Sequence, residues 1–384
     1  MKINKGIVLI FILLAIGGSI YYLEALKPEV PYSSIAEPIK SGAPADPMPK
    51  KETPDSKSRI AAKSLLYPPA YEISTPDGFI NSEGFRLGDL VGDKVILLDI
   101  WTYSCINCQR TLPYLKSWDD KYRDSGLAIV GLHTPEFEFE KDYENVKSAV
   151  EKFGIEYPVV LDNDYSTWTA YRNKYWPRKY LIDIDGFVVY DHIGEGGYEE
   201  TEREIQRALS ERAEILGIDG GMAGRIVKTE VTPESSYVLP NSPEVYFGAF
   251  RNELLANGPS GVMGIQQLRF PDEFTLNKLY LSGDWNLARE YAENLTAGSK
   301  IGFRYRAKEV YFVASADKPV KIRVLRDGLP VGVYAGEDID ENGSVTIQED
   351  RLYKLINDPG LQGMHVLEIQ IENPGLKAFT FTFG

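Results

Sequence analysis

The sequence predicts an α/β domain on a mostly parallel sheet, then an all-β antiparallel sandwich of jelly-roll type, with an apolar segment ahead of both. Three observations carry this. Between residues 94 and 216, buried-strand runs alternate with helical patterns. Beyond the glycine-dense stretch at 217–224 the pattern changes to short alternating apolar runs separated by turns. Residues 6–23 carry no charge at all.

That uncharged span holds eighteen residues, about 27 Å as a helix, which just reaches across a thin hydrocarbon core. Lys2 and Lys5 precede it, and a basic flank stays in the cytoplasm, so the remainder is expected outside. A cleaved signal peptide is the competing reading, with Ala15-Ile16-Gly17 as a tolerable cleavage site. A retained single transmembrane anchor fits better, because the apolar run continues past that site through Ile20, Tyr21, Tyr22 and Leu23. Either way the folded part reaches a compartment where disulfides persist. Residues 27–66 are rich in Pro, Ser, Ala and mixed charge without apolar periodicity, the composition of an extended tether.

Residues 94–100 form a near-continuous apolar, β-branched run, the mark of a strand buried on both faces. It leads to Cys105-Ile106-Asn107-Cys108 at a strand-to-helix turn. A thiol at a helix N-terminus meets unsatisfied N–H groups and the helix dipole, which favour thiolate. A second cysteine three residues on lies about one turn away and can close onto the first. A helix is expected to run on to Tyr122, a second buried strand at 127–132, a helix at 140–153 and a third strand at 158–161. Residues 179–184 and 187–192 read as a hairpin joined by Asp185-Gly186, and a last helix over 201–216 buries Ile205, Leu209 and Leu216. Strands at 309–313, 320–324, 365–371 and 378–383 then build the sandwich.

The chain holds two cysteines and three histidines, His133, His192 and His365. No finger-like spacing joins them, so no structural zinc site is expected and no metal or other cofactor. A bridge across so short a loop would constrain the unfolded chain little, which leaves redox chemistry. A net charge of -14 and a pI near 4.9 argue against nucleic acid as a partner. The glycines at 194–197 lack the strand-then-helix setting of a phosphate cradle.

Asp99, Trp101, Cys105, Cys108 and Pro113 stand at the spacings of the thioredoxin superfamily, which the region resembles. The fuller string from Trp101 to Arg110, with His133-Thr134-Pro135-Glu136 and Tyr175-Trp176-Pro177, is similar to the extracytoplasmic redoxins of DipZ-type proteins, relatives of TlpA and DsbD. That resemblance covers roughly residues 70–384 and implies a thioredoxin-like domain followed by a carbohydrate-binding-like β domain. The multi-helix membrane electron carrier of DipZ has no counterpart in these residues. The organisation expected is an anchor or signal segment at 1–26, a tether at 27–66, the redoxin at 67–217, a linker at 218–240 and the β sandwich at 241–384.

The activity implied is thiol-disulfide exchange with protein thiols and disulfides: Cys105 attacks, Cys108 resolves, and the pair is re-reduced by a membrane donor of the DsbD/CcdA type. Asp99, a carboxyl in an apolar strand, is expected to take the proton from Cys108, or else to be a hydrogen-bonded Asp at a strand edge. Pro177 resembles the cis-proline beside the cysteines of thioredoxins, where Trp176 would offer its backbone to a substrate strand. Trp101 and Trp176 are candidates for an apolar rim around the disulfide, with the core as the alternative place for both. His133 is a candidate for approach to the cysteines, although such a loop histidine more often has no role. Asp162 and Asp164 are expected to cap the following helix. Tyr280, Trp285, Tyr291, Tyr305 and Tyr311 offer faces for a glycan, yet aromatics in sandwiches are mostly core. The rival functions are a peroxide reductase of peroxiredoxin type and a surface-binding protein with a passenger redoxin.

Overall fold

The computed structural model describes residues 56–218, 242–360 and 363–384. The expected anchor at 6–23, most of the tether and nearly all of the linker at 218–240 lie outside the described residues. Among the described residues no helix is long and apolar enough to cross a membrane.

In chain order the first domain comprises α1 (Ser56–Lys63), β1 (Gly78–Ile80), α2 (Leu87–Leu90), β2 (Val95–Trp101), α3 (Ile106–Tyr122), β3 (Leu127–His133), α4 (Tyr143–Phe153), β4 (Val159–Leu161), α5 (Ser166–Ala170), β5 (Arg178–Ile182), β6 (Val188–Ile193) and α6 (Tyr198–Leu216). The sheet order is β1-β4-β3-β2-β5-β6, with β2, β3 and β4 parallel and the other pairings antiparallel. Every residue of β2 is buried. Side chains alternate across a strand, so Val95, Leu97 and Trp101 join a core with Leu115, Val146 and Ile205. Ile96, Leu98 and Ile100 join a second core with Leu87 and Trp168 on the opposite face. Asp99 is in phase with the first set, the face that α3 covers.

Four expectations need correction. The stretch taken as tether contains α1, which docks rather than floats. Arg59 pairs with Asp185 at 2.7 Å, Lys63 reaches Asp183, Asp185 and Glu211 at 2.5, 2.9 and 2.7 Å, and Ile60 is buried. The helix expected over 140–153 is split into a short 3-10 turn (Glu138–Lys141) and α4. Asp142 makes the break, its carboxylate accepting from the amides of Glu144 and Asn145 at 2.8 and 3.1 Å as a fresh N-cap. The β5–β6 connection has three residues, not two: Asp183 and Phe187 still pair, and Gly186 at φ +81° closes the loop. Leu216, on the last turn of α6, is exposed, while Ile205 and Leu209 are buried as expected.

The second domain comprises β7 (Val245–Tyr246), β8 (Gly264–Leu268), β9 (Leu279–Leu287), β10 (Ala292–Asn294), β11 (Lys300–Ala307), β12 (Glu309–Ala316), β13 (Val320–Arg326), β14 (Leu329–Pro330), β15 (Ser344–Ile347), β16 (Arg351–Asn357), β17 (Gly363–Ile371) and β18 (Leu376–Phe383), all paired antiparallel. β9 serves two sheets. Its first half pairs with β11, and from Gly283 onward it pairs with β8 and β10. Gly283 stands at the change-over with φ +105°, where a Cβ would collide with Ser299. The sheet holding β11, β13 and β17 packs Ile301, Phe303 and Ile369 against Phe312, Phe381 and Phe383 of the sheet holding β12, β16 and β18. Phe303 and Phe383 stack with centroids 5.4 Å apart. Of the five aromatics considered for a glycan, Tyr280, Trp285, Tyr305 and Tyr311 are buried and Tyr291 is half-buried.

Candidate active site

β2 ends at Trp101, the chain turns through Thr102, Tyr103 and Ser104, and Cys105 becomes the N-cap of α3 with extended backbone (φ -80°, ψ 117°). Its Sγ accepts from the Cys108 amide at 3.3 Å, and its carbonyl opens the helix by accepting from Gln109 at 3.0 Å. Cys105 thus takes the place of a polar cap and faces helix N–H groups. Both cysteines are free thiols; Cys105 is half-buried and Cys108 fully buried. Burial pushes the Cys108 thiol well up, as do its hydrogen bond and charge interaction with Cys105 and, further, the charge of Asp99. Cys105 thus keeps part of its surface, and Cys108 keeps 1%.

Asp99, whose charge acts on Cys108, is 1% exposed, and neither carboxylate oxygen is hydrogen-bonded among the described residues. The strand-edge alternative fails on both counts. Burial lifts the carboxyl to about 6, opposed by the charge of Lys179. Lys179 is the direct cross-strand partner of Asp99 and is wholly buried; its Nζ donates to the Gly194 carbonyl at 3.4 Å. Burial pulls the Lys179 ammonium below its ordinary value, and Asp99 pulls it back up. Gly131 faces Asp99 from β3, and a Cβ there would meet Trp101 Nε1 at 3.0 Å and the Tyr157 ring at 3.2 Å. Among the described residues Trp101 Nε1 and the Tyr157 hydroxyl likewise have no hydrogen-bond partner.

Of the other predicted residues, Trp176 and Pro177 share a cis peptide bond. Trp176 is half-buried, with Nε1 donating to the Thr134 carbonyl at 2.9 Å and its ring 4.2 Å from that of Trp168. Trp101 does not join it in a rim. Being in phase with Val95 and Leu97 it points into the helix-covered core, has 0% exposure and cannot touch a substrate. His133 is also wholly buried; its Nε2 accepts from the Tyr103 amide at 3.3 Å, and its ring stacks on that of Tyr103. Burial lowers its pKa to about 3, so it braces the turn as a neutral ring and supplies no cation to the sulfurs. Asp162 and Asp164 cap α5 as expected, accepting from the Thr167, Trp168 and Ser166 amides at 2.9 to 3.0 Å.

Lys179 and Glu140 escaped the sequence reading. Lys179 carried a signal, since alternation with Leu181 puts it on the helix-covered face of β5. Glu140 is fully buried and accepts from Ser104 Oγ at 2.6 Å, and from the amides of Ser104, Glu136 and Phe137 at 3.3, 2.5 and 3.0 Å. It ties the turn before Cys105 to the loop after β3. Burial, then the charge of Glu136, raise it to about 7 against those hydrogen bonds.

A thioredoxin-like sheet presenting a cysteine pair at a helix start defines the class, and comparison with known proteins agrees. A family model described as the AhpC/TSA family matches residues 69–191, and one described as a thioredoxin-like C-terminal domain matches residues 242–384. The thiol-disulfide oxidoreductase YkuV of Bacillus subtilis is 30% identical over 146 residues, 38% of this chain and 97% of that protein. ResA of Bacillus thuringiensis, also a thiol-disulfide oxidoreductase, is 30% identical over 128 residues, 33% of this chain and 70% of that protein.

The chain belongs to the thioredoxin-like thiol-disulfide oxidoreductases. Protein DipZ of Mycobacterium bovis is 34% identical over 310 residues, which span 80% of this chain and 41% of DipZ, so the likeness runs through the β domain as well.

Proposed function

We propose that this chain reduces protein disulfides outside the cytosol through Cys105 and Cys108. The observation that carries the reading is the arrangement of the pair: Cys105 caps α3 and keeps part of its surface, and Cys108 is buried within the influence of a carboxyl raised to about 6. Cys105 attacks a partner disulfide as thiolate, and the partner's other sulfur leaves with the bonding pair. Cys108 then attacks Cys105 Sγ, Asp99 takes its proton, and the partner departs with two electrons gained. The backbone at Trp176 and Pro177 receives the substrate strand. A membrane dithiol donor of the DsbD/CcdA type restores the pair. Residues 6–23 tether the protein to the membrane, or release it if they are cut, with the folded domains extracytoplasmic. The jelly-roll-like β domain takes a glycan, a reading that rests on likeness to carbohydrate-binding domains alone.

Trapping tests the reading. Cys108→Ser should accumulate mixed disulfides with thiol proteins and Cys105→Ser should not; capture by both variants, or by neither, would sink it. A reduction potential near thioredoxin's, about -270 mV, fits a reductant, and one near about -120 mV an oxidant. The match to the AhpC/TSA family favours peroxide reduction as a second reading. It requires Cys105-dependent peroxide consumption that survives Cys108→Ser, whereas disulfide reduction requires both sulfurs.

A further inference from the structure

In a two-sheet sandwich one face of each sheet is the core and the other meets water. The outer face of β12, β16 and β18 departs from this. Tyr311, Val313, Leu352 and Phe379 are at most 9% exposed, because they close over Phe137 and over Ile106, the first residue between the cysteines. Ile106 keeps only 7% of its surface. Polar ties hold the seam on either side of the pair. The Tyr103 hydroxyl, two residues before Cys105, donates to the Asp350 carbonyl at 3.0 Å, and Arg110, two residues after Cys108, donates to Glu309 at 2.6 Å. At the cis peptide bond, by contrast, Trp176 is only half-buried and Tyr175 is 49% exposed.

We infer that the β domain is a specificity element of the redox site. It holds the Ile106 flank closed, so the pair accepts a disulfide carried on an extended, protruding segment and refuses one lying on a broad folded surface. A single strand occupies about 5 Å of width beside Trp176. A flat folded partner needs roughly 800 Å² of clear surface around the sulfur, and the β domain stands in that area. This assignment rests on Cys105 being the attacking sulfur.

The test uses the full chain, reduced, and two probes bearing the same thionitrobenzoate mixed disulfide. One is a linear peptide; the other is a folded carrier with its cysteine in the middle of a flat sheet face. Cys105 attacks the probe's cysteine sulfur, thionitrobenzoate leaves with the bonding pair, and Cys108 then closes onto Cys105 and expels the probe as thiolate. The wild-type chain should release thionitrobenzoate from the peptide at least about a hundredfold faster than from the carrier. Phe379→Ala and Glu309→Ala should narrow that gap about tenfold by speeding the carrier reaction, leaving the peptide rate within about twofold. A wild-type gap below about twofold overturns the inference. So does an unchanged gap in either variant that still melts cooperatively. If Phe379→Ala fails to fold, Glu309→Ala, at a side chain with 23% of its surface exposed, carries the same comparison. Peptide reaction that is no slower in Cys105→Ser is a different failure, that of the proposed activity itself.

Discussion

Lys179→Met removes the buried counter-charge that acts on Asp99 while keeping an unbranched apolar chain in its place. The two are direct cross-strand partners, a pairing that sets their Cβ atoms about 5 Å apart. No ion pair within 4 Å joins them among the described residues, so about 5 Å is the nearest approach of the two charges; in an effective dielectric of about 20 that bounds their interaction at about 3 kcal/mol, or about two pKa units. At that limit Asp99, at about 6 in the native chain, should titrate near about 8 in the variant. At pH 7 its ionised fraction falls from about nine-tenths to about one-tenth, and the attack of Cys108 should slow about tenfold, recovering above about pH 9. Stability moves in the sense linkage requires. The folded value lies above the unfolded 3.8, so stability is full below that value and is lost as pH rises to about 6, by about 3 kcal/mol. In Lys179→Met the decline continues to about pH 8. Single-turnover reduction of a peptide disulfide, quenched across pH 5 to 10, gives the rate profile, and urea unfolding at the same pH values gives the stability. Asp99→Asn should abolish the acid limb in both backgrounds. A midpoint that shifts by less than about half a unit, or downward, would show that Lys179 does not govern Asp99.

Three further perturbations follow from the contacts. Glu140→Ala leaves Ser104 Oγ and the Ser104, Glu136 and Phe137 amides without their acceptor; at about 1 kcal/mol or more for each stranded donor, a loss of about 3 kcal/mol or more in urea unfolding is expected, and a loss under about 1 kcal/mol would show those groups find water instead. Lys63→Ala removes the cation from the wholly buried Asp183 carboxylate, which keeps only its backbone donors at Asp185 and Phe187, and should cost about 3 kcal/mol at pH 7. That difference should shrink in acid as the carboxylates take up protons, and a pH-independent difference would contradict the ion-pair explanation of α1 docking. Gly283→Ala forces a Cβ into φ +105° against Ser299 and should lower stability by about 2 kcal/mol or more, seen as a lower midpoint of the β-domain transition, with Cys105 reactivity unchanged.

Much of the sheet was legible because local rules suffice for it. β2 is apolar at every position except Asp99, so burial on both faces, the cysteine turn beyond it and the misfit carboxylate all follow from one short stretch. The period of two also decides between the two places open to Trp101 and puts it in the core rather than the rim. Where distant charges meet, sequence reading failed. Lys63 and Asp183 are 120 residues apart, so α1 looked like a solvated tether, its charges being the sign of disorder and, in the fold, the means of docking. Lys179 and Asp99 depend in the same way on a strand register that neither segment reveals alone.

The domain contact follows from a different rule, one that is written in the sequence. A strand with one face in a sandwich core and one in water alternates apolar with polar, as β13 does with exposed Lys321 and Arg323 between buried Val320, Ile322 and Val324. Contrary to the alternating run expected over 309–313, β12 does not alternate. From Val310 to Ala316 every residue is buried, Val310, Phe312 and Ala314 inside the sandwich and Tyr311 and Val313 outside it. An antiparallel strand apolar on both faces must be covered on both, and one sandwich covers only one. The cover lies around Ile106 and Phe137, so the same unbroken apolar run that identifies β12 as a strand identifies it as the seam, and that seam ends between the two cysteines.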